Sequence, residues 1–156
     1  MNRFVVVPAS YVFLLRDGEA GREVLLQLRR GTGYMDEHWA AAVAGHVEKG
    51  ETVFEAAARE AVEEVGVTDV ALTPWCAMQR TQPGARGAAE AIDERVDYFF
   101  TATSWTGEPH IVEPEKCADL RWFPLDALPD SVVPHEAAVL ASLRAGSTPP
   151  VVTFGF

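Results

Sequence analysis

The sequence predicts an α/β sandwich in which a mixed sheet lies between helices. Three observations carry the prediction. Short runs rich in Val, Phe, Tyr and Trp alternate with turns bearing Gly and Pro, as strands do. Two longer stretches, 52–66 and 134–146, have helical periodicity and each ends at a glycine. The 156 residues suffice for one core, so residues 1–156 are expected to form a single domain.

Taken in order, the apolar run Met1–Pro8 is expected to open the fold as a first strand. Tyr11–Arg16 reads as a strand, Asp17-Gly18 as a turn and Val24–Leu28 as the partner strand. Residues 29–38 are polar and contain glycine, so they read as a loop. Trp39–Ala44 is small and apolar, a short strand. Thr52 with Glu55 three residues on is a capping-box pattern for a helix start, and Gly66 is its stop. Within that helix Phe54, Ala58, Ala61 and Val65 are assigned to the packing face, roughly opposite an acidic one. Val70–Thr81 has strand composition interrupted by Pro74, and residues 82–93 read as a loop. Glu94–Ser104, with Val96, Tyr98, Phe99 and Phe100, reads as a central strand. Trp105–Pro114 is a connection, Asp119–Phe123 a short strand and 124–128 a turn. Pro134–Arg144 reads as the second helix, with proline tolerated at its first position and an apolar stripe of Val139, Leu140 and Leu143. Residues 148–156 carry no clear element signal.

Composition excludes several classes. Hydrophobic content of 48% and charged content of 23% are those of a globular domain, and no apolar run approaches a membrane span. The N-terminal apolar stretch is too short for a signal peptide, so a cytoplasmic location is expected. A net charge of −10 argues against nucleic-acid polymers, whose phosphates demand Lys and Arg, but not against a small nucleotide. Cys76 and Cys117 lack CxxC spacing and read as two reduced thiols, at least one of them in the core.

The chemistry concentrates in residues 45–67. Glu60, Glu63 and Glu64 stand at i, i+3 and i+4, which puts them on one side of a helix. Like charges at that spacing repel, so the cluster points to a bound cation. Carboxylate oxygens suit Mg²⁺, with Mn²⁺ as the alternative, and magnesium implies phosphate because it shares its shell with substrate oxygens. Upstream, the glycine-containing loop Gly45–Glu51 leaves the Gly45 carbonyl free to face the same ion.

The run Gly45…Glu51…Arg59-Glu60-Ala61-Val62-Glu63-Glu64-Val65-Gly66-Val67 resembles the Nudix box. The chain is similar to MutT-type Nudix hydrolases, and the resemblance implies the Nudix α/β/α sandwich. Two departures are visible: Ala61 is smaller than the usual aliphatic, and Ala42-Val43-Ala44-Gly45 replaces the usual Leu-Pro-Gly-Gly. A bacterial subgroup with Val-Ala-Gly-His at this place looks nearest. It shares Gly33-Tyr34-Met35-Asp36 and an aromatic-Gly-aromatic tail like Phe154-Gly155-Phe156.

By resemblance, Glu63, Glu64 and the Gly45 carbonyl are metal ligands. Glu60 is a third ligand or the base that orients water. Arg59 pairs with Glu51 and steadies the loop. Trp105-Thr106-Gly107-Glu108-Pro109 is similar to the MutT-type segment that leads to a fourth carboxylate, which places that role on Glu113, with Glu115 as the substitute. Arg29-Arg30 resembles a phosphate-contacting pair, with Arg30 favoured. Tyr34, Trp39, Tyr98 and Phe100 are the aromatics available to stack on a base. His46 reads as a hydrogen-bonded loop histidine.

The leading expectation is a metal-dependent pyrophosphohydrolase that cleaves a nucleoside triphosphate, ordinary or modified, to monophosphate and pyrophosphate. The alternatives are an ADP-ribose or nucleoside-diphosphate-sugar pyrophosphatase, for which Pro83 lies one place from a marker proline, and a non-catalytic nucleotide sensor. A monomer and a homodimer are both compatible with the sequence.

Overall fold

The computed structural model describes residues 2–156. Its strands are β1 (Val7–Gly18), β2 (Gly21–Arg29), β3 (Trp39–Ala41), β4 (Val43–His46), β5 (Thr73–Arg80), β6 (Arg95–Ala102), β7 (Cys117–Pro124) and β8 (Val151–Phe154). Its helices are α1 (Val53–Val65) and α2 (Pro134–Ala145).

β1 organises the sheet because it has different neighbours along its length. Residues 7–14 run parallel to β6, and 9–12 pair antiparallel with β4 on the other side. Residues 15–18 pair instead with β2 in a hairpin. β2 then carries β3 and β7, while β6 carries β5, and β8 joins β5 in parallel at the edge. The sheet is therefore mixed, as expected.

Alternation along β1 divides the core. Tyr11, Phe13 and Leu15 pack with Phe99, Met78, Val139 and Leu140 on the α2 side. Val12 and Leu14 pack with Val43, Ala57, Ala61, Val65 and Phe100 on the α1 side. A sheet covered by a helix on each face is the predicted α/β/α sandwich. Both cysteines are buried and unbonded. Among the described residues no helix is long and apolar enough to cross a membrane.

Four local expectations are corrected. Residues 2–6 form no strand, since β6 offers Val7 its last partner at Arg95, and Phe4 and Val5 stay exposed; Met1 lies outside the described residues. Trp39–Ala44 is two strands, not one. β3 pairs with β2 and β4 with β1, and the chain changes partner at the fully buried Ala42. β5 starts at Thr73; before it a single backbone bond, Ala71 N donating to Ser104 O, reaches the chain just beyond β6. The tail, unassigned from sequence, supplies β8.

The fourth correction concerns α1. Its buried residues are Ala56, Ala57, Ala61 and Val65, whereas Ala58 is exposed and Phe54 is 49% exposed beside the Phe100 ring. Small alanines let the helix approach the sheet closely. The packing face is thus rotated, and it adjoins the acidic face instead of opposing it.

Helix α2 is tied to the sheet by charge as well as apolar contact. Ala41 N donates to Glu136 Oε1 at 2.7 Å, and the Glu136 side chain is buried. Burial pushes this carboxyl up to about 7, against the pull of the Ala41 hydrogen bond. The folded protein therefore holds a proton that the unfolded chain has released between about pH 4.5 and 7. Stability from this group is present at low pH and lost as pH rises through 7. Glu136→Gln keeps the acceptor and removes the titration. Denaturant unfolding of both proteins at pH 5 and pH 8 should show the variant gaining on the parent by up to ~3 kcal/mol at the higher pH.

Candidate active site

Helix α1 is fixed at both ends. The Thr52 hydroxyl accepts from Glu55 N, and the Glu55 carboxylate accepts from Thr52 N, completing the predicted capping box. Gly66 takes φ 69°, ψ 28°, the left-handed cap that only glycine adopts at little cost. Space makes a second demand there, because a Cβ on Gly66 would collide with the His110 ring. Between the caps, Ser10 Oγ donates to Val53 O and seats the first turn on β1.

This placement aims the three box carboxylates differently. Glu64 turns toward β4, where Ala44 N donates to its Oε2 at 2.7 Å. Enclosure pushes its carboxyl well above the usual range, against that hydrogen bond. Glu60 lies directly over Gly45, and a Cβ there would overlap its carboxylate. Burial raises Glu60, Arg59 opposes the shift, and Glu63 and Glu113 add to it. Glu63 is 52% exposed and leans toward solvent.

Arg59 closes the arrangement. It donates to both oxygens of Glu51 at 2.7 and 3.2 Å, to Glu60 at 2.8 Å, to Glu63 at 3.2 Å and to the His46 carbonyl at 3.0 Å. The guanidinium staples the loop 45–51 to α1, and in doing so stands among the carboxylates. Glu51 is held below its ordinary value chiefly by the Arg59 hydrogen bond. Among the described residues no three acidic, His or Cys side chains are gathered tightly enough to hold an ion as they stand.

Glu113 arrives from the far side. Its loop is pinned to the end of α1: Thr68 and Thr106 exchange backbone hydrogen bonds, and His110 N donates to Val65 O. The Glu113 charge adds to the upward shift of both Glu60 and Glu64, after burial and nearer groups. Glu115 has no hydrogen-bond or ion-pair partner among the described residues, while its backbone carbonyl abuts Gly31.

The other predicted residues are placed as follows. Arg30 is exposed and donates to the Pro114 carbonyl, beside the Glu113 turn. Arg29 instead turns back on its own loop, donating to Tyr34 O and Thr32 Oγ1. That loop is braced by Asp36, whose carboxylate accepts from Thr32 N, Thr32 Oγ1 and Gly33 N. Tyr34 stands partly exposed on it. Trp39 packs edge-on against Phe123 and joins the α2-side core, and Tyr98 and Phe100 lie in the α1-side cluster. His46 ends β4 with an exposed ring that makes no hydrogen bond among the described residues, unlike the hydrogen-bonded loop histidine expected.

Two contributors escaped sequence reasoning. The Ala44 amide that orients Glu64 is backbone and has no sequence signal. Lys116, one of only two lysines in the chain, forms an ion pair with Glu113 at 3.1 Å. Its scarcity and its place three residues after Glu113 were the available signal.

The model of the NUDIX domain matches residues 6–143. This chain belongs to the NUDIX family. It is a Nudix hydrolase, an enzyme acting on phosphoanhydride bonds. A MutT NUDIX hydrolase from Burkholderia pseudomallei is 27% identical, with TM-score 0.74, covering 88% of this chain and 97% of that one. The NUDIX domain of Shewanella oneidensis NrtR, complexed with ADP ribose, is 16% identical with TM-score 0.69, covering 91% and 88%. An Ap4A hydrolase of C. elegans, solved as a binary complex, is 20% identical with TM-score 0.62, covering 88% and 96%. The last two are likenesses of fold. No curated protein matches the chain.

The Gly45 cradle generates a test. In Gly45→Ala the new methyl must displace Glu60. Hydrolytic activity of the Nudix enzyme should fall by an order of magnitude or more, while unfolding free energy drops by only about 1–3 kcal/mol. Activity assay and denaturant unfolding on the same preparation separate the two effects.

Proposed function

We propose that this Nudix hydrolase cleaves a nucleoside triphosphate, ordinary or modified, to a monophosphate and pyrophosphate, with Mg²⁺ or Mn²⁺ bound. The observation that carries this reading is the seating of Glu60 over Gly45 and of Glu64 on the Ala44 amide, two partly enclosed carboxylates whose pKa values Glu113 helps to raise. Hard oxygen donors facing one another at the cost of raised carboxyl pKa values fit a small divalent cation. The residues that would hold it are Glu60, Glu63, Glu64 and Glu113 with the Gly45 carbonyl. When bound, the ion supplies charge neutralisation on the phosphate oxygens.

The chain's own residues do the rest. With an ion bound, Glu60 and Glu63 would be drawn from Arg59, whose remaining bonds to Glu51 and the His46 carbonyl would keep the loop in register with α1. Glu60, beside Gly45 and partly shielded, accepts the proton of the attacking water in the reading where it is the base. Water attacks phosphorus, the bridging P–O bond breaks, and pyrophosphate departs. Arg30, exposed beside the Glu113 turn, contacts phosphate, Glu115 flanks it, and Tyr34 offers a ring to the base. The net charge of −10 fits a small nucleotide that carries its own cation better than a nucleic-acid polymer.

A second reading, hydrolysis of ADP-ribose or a related diphosphate sugar, draws support from the fold likeness to a NUDIX domain bound to ADP ribose. Products separate the two. A panel of NTPs, dNTPs, oxidised and methylated variants, ADP-ribose, UDP-sugars and dinucleoside polyphosphates should be incubated with Mg²⁺ and resolved by chromatography. Pyrophosphate from a triphosphate is the expected outcome, reduced by about two orders of magnitude or more in Glu63→Gln. Sugar phosphate with nucleoside monophosphate would replace the proposal by the second reading.

A further inference from the structure

Lys116 has entered so far only as the ion-pair partner of Glu113, and its position is unusual. The turn Glu113–Cys117 is closed by Lys116 N and Cys117 N, which both donate to the Glu113 carbonyl at 3.0 and 3.1 Å. This turn feeds β7, and Arg30 N donates to the Lys116 carbonyl at 3.0 Å, so Arg30 and Lys116 are backbone neighbours across the β2–β7 ladder. The Lys116 side chain is 62% exposed, yet its ammonium is 3.1 Å from Glu113 Oε2. Its pKa is raised by the Glu113 hydrogen bond first, with Glu115 and Glu64 adding to it. The ammonium therefore caps Glu113, as the Arg59 guanidinium caps Glu60 and Glu63.

Arg59 keeps Glu51 and the His46 carbonyl whatever happens to Glu60 and Glu63. Lys116 has Glu113 as its one ion-pair partner among the described residues. If Glu113 served as a metal ligand, this ammonium would lose its anion, with the exposed Arg30 as its backbone neighbour. A flexible lysine is a compact point charge suited to a phosphate oxygen whose geometry is not fixed in advance.

We infer that Lys116 is a phosphate-binding residue that exchanges Glu113 for a phosphate oxygen of the substrate once Glu113 turns to the metal. The inference rests on the reading of Glu113 as a metal ligand. It makes metal and substrate binding cooperative, because the ion frees the lysine and the phosphate keeps it from competing for Glu113 again.

Two readouts test it in Lys116→Met, which keeps the stem and removes the charge, with Lys116→Arg alongside. Without nucleotide, Lys116→Met should bind Mn²⁺ several-fold more tightly than the parent, since the competitor for Glu113 is gone. With the substrate found in the product panel, its KM should rise about tenfold while kcat stays within about twofold, and Lys116→Arg should recover most of the loss. Unchanged Mn²⁺ affinity together with an unchanged KM would reduce the Lys116–Glu113 contact to a surface ion pair and overturn the inference. The Mn²⁺ titration needs no substrate. A parent enzyme that cleaves diphosphate sugars would thus end the triphosphate reading, and the lysine would still be judged by the titration and by KM for that sugar.

Discussion

The approach of the Glu60 carboxylate to the Cα of Gly45 is the contact on which the rest of the site depends. It requires a residue without a side chain at the end of β4, a helix seated close enough to reach it, and a cation to relieve the crowding. The alanines of α1 meet the second demand. Ala56, Ala57 and Ala61 bury completely and allow close packing that bulkier side chains would prevent. Arg59 meets the third demand in the structure described, and its bonds to Glu51 and His46 O fix the loop that carries Gly45. The same contact explains why the departure from Leu-Pro-Gly-Gly is tolerated. Ala42, the bend between β3 and β4, and Val43, the first residue of β4, are fully buried, and Ala44 contributes only its amide to Glu64.

Much of this was legible in the sequence because it is local. Capping boxes, left-handed glycine stops and i, i+4 carboxylates are written within one or two turns of helix, and α1 forms where Thr52, Glu55 and Gly66 predict. What was not legible depends on partners distant in the chain. Trp39–Ala44 looks like one strand until β1 and β2 diverge beneath it and pull its halves apart. The packing face of α1 was assigned by counting apolar residues, which favoured Phe54. The sheet selected smallness instead and left Phe54 outside. The tail could not be assigned because β8 exists only by virtue of the free edge of β5.

The site divides along the same line. Glu51, Arg59, Glu60, Glu63 and Glu64 are close in sequence and were found together. Glu113 was located through its anchor, Trp105 to Pro109, and the structure shows what the anchor does: Thr68–Thr106 and His110–Val65 pin that loop to the end of α1. Aromatic residues were the least legible, since a ring in a strand carries the same sequence signal whether it faces a ligand or a core. Trp39, Tyr98 and Phe100 have core neighbours, and Tyr34 stands on a loop braced by Asp36.

The shared strand β1 has a consequence for how the molecule assembles. Its C-terminal half meets β2 across a two-residue turn and can pair at once. Its N-terminal half takes partners from β4, and then from β6 nearly ninety residues later in the chain. Closing that long loop costs entropy before any apolar burial repays it. The hairpin of β1 and β2 is therefore the natural nucleus, while the stretch from Val7 to Leu14 waits as an open, apolar edge for chain that arrives late. A cell making this protein must keep that edge from neighbouring chains during the interval. The Gly45–Glu51 loop, carried by β4 on the same half of β1, becomes ordered only when the wait is over.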